Sequence, residues 1–241
     1  MSTAIINSII NIIYPPVCAG CNKPNYNNII NNYICNECFY GIKRHIPPFC
    51  LKCGRSLSQI KSINKGACAA CAERQYYFDE AWSVCKYEGT IKDLIHKFKY
   101  SQKIQYKEIF QNLFEEFLGA FNILKDIDFI IPIPLHPTRL REREYNQSQI
   151  LSSLISGIIH KPVVSDILAR RRNTKSQIEL DEKTRIRNIA DCFAIKKSHW
   201  LKSKSVLLVD DVLTTGITLS EAAKTIKALN PYKISILTLA S

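Results

Sequence analysis

Eight of the ten cysteines fall into four C-x-x-C pairs: Cys18/Cys21, Cys35/Cys38, Cys50/Cys53 and Cys68/Cys71. Two intervening residues let both thiolates of a tight turn face one metal ion, and two such turns complete a tetrahedral S4 site. The spacers, residues 22–34 and 54–67, suit short hairpins that bring one turn beside the next. Sequential pairing then places Cys18, Cys21, Cys35 and Cys38 on one Zn2+, and Cys50, Cys53, Cys68 and Cys71 on a second. An iron–sulfur cluster takes the same four thiolates and stays open as an alternative. Redox C-x-x-C pairs occur singly beside a βαβ unit, and disulfides suit a secreted chain; neither context is read here. All-cysteine sites are closed, which predicts a structural role. At this length the cysteine-rich part lacks the apolar residues to fold unaided, so metal must supply the stability.

A second constellation lies near the C-terminus, in Val206-Leu-Leu-Val-Asp-Asp-Val-Leu-Thr-Thr-Gly-Ile-Thr-Leu219. The four apolar residues 206–209 read as a central parallel strand. Asp210 and Asp211 follow at its carboxyl end, where open α/β sheets place ligands. The small polar loop from Leu213 to Thr218 then opens a helix. Its successive backbone N–H groups, from Leu213 through Ile217, can form a nest for a phosphate. Gly216 lets the backbone close on the anion without a Cβ. The hydroxyls of Thr214, Thr215 and Thr218 add donors, and the two carboxylates accept from ribose hydroxyls. A ribose 5-phosphate group fits that pattern. An ordinary N-cap explains neither the adjacent acids nor the Thr-Thr-Gly-x-Thr run. No G-x-G-x-x-G and no G-K-[ST] occurs, which excludes a dinucleotide fingerprint and a P-loop. Farther upstream, Leu135 to Arg143 reads as a loop at a strand end. It carries Arg139, Arg141 and Arg143, whose guanidinium groups are planar, permanently charged donors.

The elements that must position these groups follow from periodicity. Strands are predicted at Ala81–Tyr87, Phe129–Pro134, Ser205–Val209 and Lys233–Leu239. Helices are predicted at Thr90–Tyr100, Ile104–Leu124, Asn146–Ile159 and Thr218–Leu229. The alternation predicts an α/β domain with a parallel sheet over residues 79–241. Residues 1–78 would hold the cysteine module behind an apolar helix over Met1–Tyr14. The basic segment Arg170–Arg187 lacks apolar period and reads as a lid over the ligand or as a solvated loop. His45 reads as a surface residue, with replacement of a thiolate as the alternative; His96 reads as surface or core. Cys85 and Cys192, standing alone, are expected to be buried.

The net charge of +12 over 241 residues points to an anionic partner. No run approaches ~18 apolar residues, so no transmembrane helix is expected. Without a positive n-region before the first apolar stretch, a cytoplasmic location is expected.

The phosphate segment resembles the phosphoribosyl pyrophosphate motif of type I phosphoribosyltransferases. With the cysteine module before it, nearly the whole chain resembles the ComF family, a double zinc ribbon joined to a phosphoribosyltransferase domain. The resemblance rests on Tyr14-Pro-Pro-x-Cys18, Tyr87-Glu-Gly89, Phe98-Lys-Tyr100, Ile131-Pro-Ile-Pro-Leu-His-Pro-Thr-Arg139 with Arg143 and Asn146-Gln147, and Thr174-x-x-Gln177-x-x-Leu180 with Arg185-x-x-Asn188 and Phe193. It implies phosphoribosyl pyrophosphate with Mg2+ as ligand, held by Arg139, Arg143, Asp210, Asp211 and the loop Leu213–Thr218. Asp210, Asp211 and Arg143 would be the catalytic groups. It also implies a link to DNA uptake in natural competence, with a competence helicase as partner. The competing reading is a non-catalytic protein that binds single-stranded DNA or senses a ligand. In that reading Tyr26, Tyr33, Phe39, Tyr40 and Phe49 are stacking groups or the ribbons' own cores. No residue stands out as a base for an acceptor. Glu144 departs from the family, standing where a glycine usually precedes the aromatic residue, here Tyr145.

Overall fold

The apolar runs 206–209 and 234–240 become the centre of a parallel sheet. The computed structural model describes residues 16–25, 32–58, 63–64, 66–101, 103–172, 189–196 and 201–241. The apolar N-terminal segment, Tyr26 and most of the basic segment Arg170–Arg187 lie outside them. In chain order the described elements begin with α1 (Asn36–Tyr40), β1 (Ile63–Asn64), β2 (Ala67–Cys68), α2 (Ala69–Ala72), β3 (Glu80–Cys85) and α3 (Gly89–Tyr100). A 3-10 turn at Ile104–Tyr106 leads into α4 (Lys107–Ala120), β4 (Phe129–Pro132), α5 (Pro137–Arg143) and α6 (Gln147–Ile159). The chain ends with β5 (Leu168–Arg170), β6 (Phe193–Ile195), β7 (Ser205–Val212), α7 (Ile217–Lys227) and β8 (Lys233–Ala240).

Four parallel strands form the main sheet in the order β3-β8-β7-β4. The antiparallel pair β5-β6 stands apart from it and brackets the basic segment. Because side chains alternate across a strand, β7 feeds two apolar layers. Leu207 and Val209 pack with α3, α4 and α6, whereas Val206 and Leu208 pack with α7. Both layers are fully buried, as parallel sheets require.

The cysteine ribbons straddle the outer edge of the sheet. Cys18, Ile34, Phe39 and Ile42 join the α3/α4 layer; Cys50, Leu57, Cys71 and Phe78 join the α7 layer. The chain between the ribbons runs along β3. His45 N–H donates to Val84 O at 2.8 Å, Lys86 N–H to Lys43 O at 2.8 Å, and Ala81 N–H to Leu51 O at 2.8 Å. Gly54, at φ +71°, lies so near that a Cβ would come within 2.4 Å of Ser83 N. An edge strand with open N–H and C=O groups invites pairing with another chain, and here the ribbon linker covers it.

Several boundaries differ from the sequence-based expectation. The helix expected over Ile104–Leu124 starts as a 3-10 turn and stops at Ala120. The loop expected at Leu135–Arg143 is mostly helix α5. Pro137 occupies its first turn and the His136 side chain accepts from Thr138 N–H, so capping starts a helix that has no apolar period. His45 is a correction: it is 3% exposed and belongs to neither cysteine cluster. Its Nδ1 accepts from Ser56 N–H at 3.2 Å, and Nε2 lies 3.2 Å from Ser241 Oγ. Burial pushes its pKa down to about 4, so the imidazole is a neutral strut. Cys85 and Cys192 are buried, as expected.

Candidate ribose-phosphate site and zinc ribbons

The strand β7 continues past its apolar run to Val212, because β8 runs beside it to Ala240. Asp210 and Asp211 therefore lie within the strand, and alternation gives them different neighbours. Asp211 is 7% exposed and bound by Lys99 Nζ of α3 at 2.9 Å. Asp210 Oδ1 accepts from Ser148 Oγ of α6 at 2.8 Å and from Asp211 N–H at 2.9 Å. Burial, with the charge of Asp211 added, raises the Asp210 pKa to about 6. Lys99 keeps its charge: burial lowers its pKa, the Asp211 carboxylate raises it, and the net direction is upward.

Beyond β7 the chain turns through Leu213, Thr214 and Thr215. Gly216, at φ +77°, is the N-cap of α7, a conformation glycine adopts without a Cβ penalty. Leu213 through Thr218, with Asp210, line a pocket of ≈ 60 Å³. It is open to the N-terminus of an 11-residue helix, where the first-turn N–H groups and the dipole favour an anion. A larger cleft of ≈ 280 Å³ adjoins it, and Asp210, Thr214 and Thr218 line both. Arg139, Arg143, Ser148, Arg170 and Asp211 also line the cleft.

Helix α5 puts Arg139 and Arg143 on one face, four residues apart. Arg143 Nη1 donates to Gln147 Oε1 at 3.1 Å and Nη2 to Tyr100 OH at 3.1 Å, with its guanidinium 4.8 Å from the Tyr100 ring centroid. Arg141 is exposed. Glu144 closes α5 at φ +65°, the left-handed position that favours glycine. The turn after α5 thus takes a conformation that glycine adopts freely, and holds it with a residue that costs about 1–2 kcal/mol more there. Asn146 ties the next element down. Its side chain accepts from Ser148 N–H at 3.1 Å, capping α6, and donates to Ile133 O at 3.0 Å beyond β4.

The eight paired cysteines form the two expected tetrads, each with its sulfurs within 4.8 Å of one another. A zinc tetrahedron with bonds of ~2.3 Å has S–S edges of about 3.8 Å. The Sγ atoms of Cys21 and Cys35 are 3.9 Å apart, as are those of Cys53 and Cys68. Cys18 Sγ accepts from Cys35 N–H at 3.3 Å, and Cys50 Sγ from Cys68 N–H at 3.3 Å. Such N–H donors stabilise metal-bound thiolates. The donor set fits structural zinc at both sites. Of the ribbon aromatics, Phe39 is buried, and Tyr33 and Phe49 pack on the core. Tyr40, at 70% exposure, stands outside it.

Sequence reasoning assigned no role to Lys99, Ser148 or Tyr100. Lys99 had a readable signal: it lies one turn after Ile95, at the margin of the apolar stripe of α3. A cation there must find a buried partner. Ser148 carried no such signal.

Comparison with known proteins agrees with this architecture. A double zinc ribbon domain model matches residues 9–72 and a phosphoribosyl transferase domain model matches residues 148–241. The chain is thus a double zinc ribbon joined to a domain of the type I phosphoribosyltransferase fold. It is 29% identical to competence protein F of Haemophilus influenzae over 215 residues, covering 87% of this chain and 90% of that protein. It is 25% identical to competence protein ComFC of Bacillus subtilis over 196 residues, covering 79% and 76% respectively. The DNA utilization protein YhgH of Escherichia coli is 29% identical over 160 residues, 65% of this chain and 70% of its own. The chain is therefore similar over most of its length to proteins named for competence. Among the described residues, no helix is long and apolar enough to cross a membrane.

Proposed function

We propose that the chain binds phosphoribosyl pyrophosphate and transfers its phosphoribosyl group, in the service of DNA uptake. One observation carries the reading: the helix-capped pocket of Leu213–Thr218 opens into a cleft lined by both an acidic pair and three arginines. A 5-phosphate suits the loop N–H groups. Asp210 Oδ2 accepts from a ribose hydroxyl while Oδ1 stays on Ser148. Arg139 and Arg143 face the pyrophosphate and stabilise the charge that develops as it leaves. In the transfer, the C1–O bond to pyrophosphate breaks and its electron pair departs with the pyrophosphate. The acceptor's lone pair then forms the new bond at C1. Mg2+, arriving with the ligand, would neutralise part of the pyrophosphate charge. Thiolate zinc ligands suit a reducing, cytoplasmic compartment.

The test is isothermal titration of Mg2+-phosphoribosyl pyrophosphate into wild type and into Asp210→Asn/Asp211→Asn. Micromolar binding by wild type and at least tenfold weaker binding by the variant is expected. Well-folded, zinc-loaded wild type that takes up no ligand would overturn the reading.

A second reading is a protein that holds single-stranded DNA. It is favoured by the charge of +12 and by Arg141, Arg171 and Arg172, which are exposed near the cleft. The names of the relatives, competence and DNA utilization proteins, point the same way. Salt-sensitive binding of oligonucleotides without phosphoribosyl pyrophosphate binding would favour it.

A further inference from the structure

One side chain of the second ribbon reaches the phosphate loop. Tyr76 OH donates to Thr215 O at 3.3 Å and lies 3.6 Å from Sγ of Cys71, a ligand of the second tetrad. The Tyr76 ring lies against Gly216, where an added Cβ would come within 2.8 Å of Cε1. Phe78, buried, holds the ring from beside it, with centroids 5.0 Å apart. Next to it, Tyr77 N–H donates to Ser220 Oγ in the first turn of α7 at 3.1 Å. The ribbon therefore touches both the loop and the helix start.

The consequence follows from peptide geometry. A trans peptide is planar, and its C=O and N–H point in opposite directions. The Thr215 carbonyl and the Gly216 N–H belong to one peptide. Holding the carbonyl from the ribbon side turns the Gly216 N–H to the opposite side of the loop. In an isolated loop this peptide could flip, because Gly216 tolerates either hand. Gly216 also cannot be locked by a side chain of its own.

We propose that Tyr76 is a positioning residue: it fixes the Thr215–Gly216 peptide with its N–H turned into the phosphate pocket, and so couples the second zinc ribbon to ligand binding. The inference rests on the ribose-phosphate reading of that pocket. It gives the ribbon a role in the site besides covering the sheet edge. Because linkage is reciprocal, ligand in the pocket must also strengthen metal retention by the second tetrad.

The test compares wild type with Tyr76→Phe, which keeps the ring and removes the hydroxyl. Zinc content is measured first, and two ions per chain are expected in both. Titration with ribose 5-phosphate and with inorganic phosphate should then show both binding about three- to tenfold more weakly to the variant, the worth of one hydrogen bond. Inorganic phosphate separates this effect from that of Asp210→Asn, which should weaken ribose 5-phosphate alone. In competition with a chelator, saturating ribose 5-phosphate should protect one zinc of wild type and none of the variant. Wild type that binds neither ligand would sink the pocket reading and this inference together. Wild type and variant binding equally would sink the inference alone. A variant that loses a zinc ion would make Tyr76 a support of the ribbon rather than of the loop, which also overturns it.

Discussion

At the end of β7 two carboxylates stand on adjacent residues with different partners. Lys99 neutralises Asp211 at 2.9 Å, while Asp210 receives a hydroxyl and a backbone N–H on Oδ1. Burial and the neighbouring charge raise the Asp210 pKa to about 6, above its value of ~3.9 in an unfolded chain. The folded state therefore holds this proton more tightly. Above pH 6 the ionised carboxylate is a stability cost. As pH falls from 6 towards 4 the folded chain takes up the proton and the cost disappears. Asn at this position still accepts from Ser148 and from the Asp211 N–H but carries no charge. Asp210→Asn should thus raise stability at pH 7.5 by about 1–2 kcal/mol, with most of that gain lost by about pH 4.5. Denaturant melts of both proteins at the two pH values check this. A variant less stable than wild type at pH 7.5 would show that the carboxylate is not strained. The acids themselves were legible in the sequence, because two adjacent charges after four apolar residues are dear to bury. Their separate partners were not, since Lys99 and Ser148 come from helices far away in the chain.

At the scale of elements, α3 is fastened to the sheet top by a pair whose side chains are 19% and 10% exposed. Breaking a buried pair from one side leaves an uncompensated charge, which costs more than the pair contributes. Lys99→Met should destabilise the protein by about 2–4 kcal/mol. Adding Asp211→Asn should recover a good part of that loss, because the orphaned charge is gone. Equal stability of Lys99→Met and wild type in urea would show the pair to be solvent-screened. The helices that place these groups were legible where an apolar stripe exists. Ile91, Leu94, Ile95 and Phe98 mark α3, and all four are buried. Helix α5 has no stripe: its seven residues, Pro137–Arg143, bury none. Its helicity comes from a cap and a proline, signals that compete poorly with a charged, loop-like composition. The ends of α4 and β7 also moved, since tertiary pairing rather than local propensity sets where an element stops.

Across the whole molecule, the cysteine spacing was enough to predict two S4 tetrads but not where they dock. A tetrad is written in residue types. The docking of the ribbon linker on β3 is written in backbone hydrogen bonds and in the close approach at Gly54, neither of which leaves a side-chain pattern. That docking makes zinc a requirement for the α/β domain as well as for the ribbons. Both tetrads contribute residues to the sheet's apolar layers, and the linker between them closes the β3 edge. Structural zinc is worth roughly 10–16 kcal/mol per site in small finger peptides, far above what the ribbons' own packing gives. Stripping zinc should release the linker, expose the N–H and C=O groups of β3, and uncover Trp82 and Val84 beside them. An open, apolar edge strand is a template for pairing with another copy. Chelator treatment is therefore expected to turn a monodisperse protein into one that scatters light and gains intermolecular β signal by infrared spectroscopy. Prompt zinc restoration should reverse the early stage. A chelated protein that stays monodisperse with its sheet melting unchanged would mean that the α/β domain closes β3 without the ribbons, and that the two parts are independent.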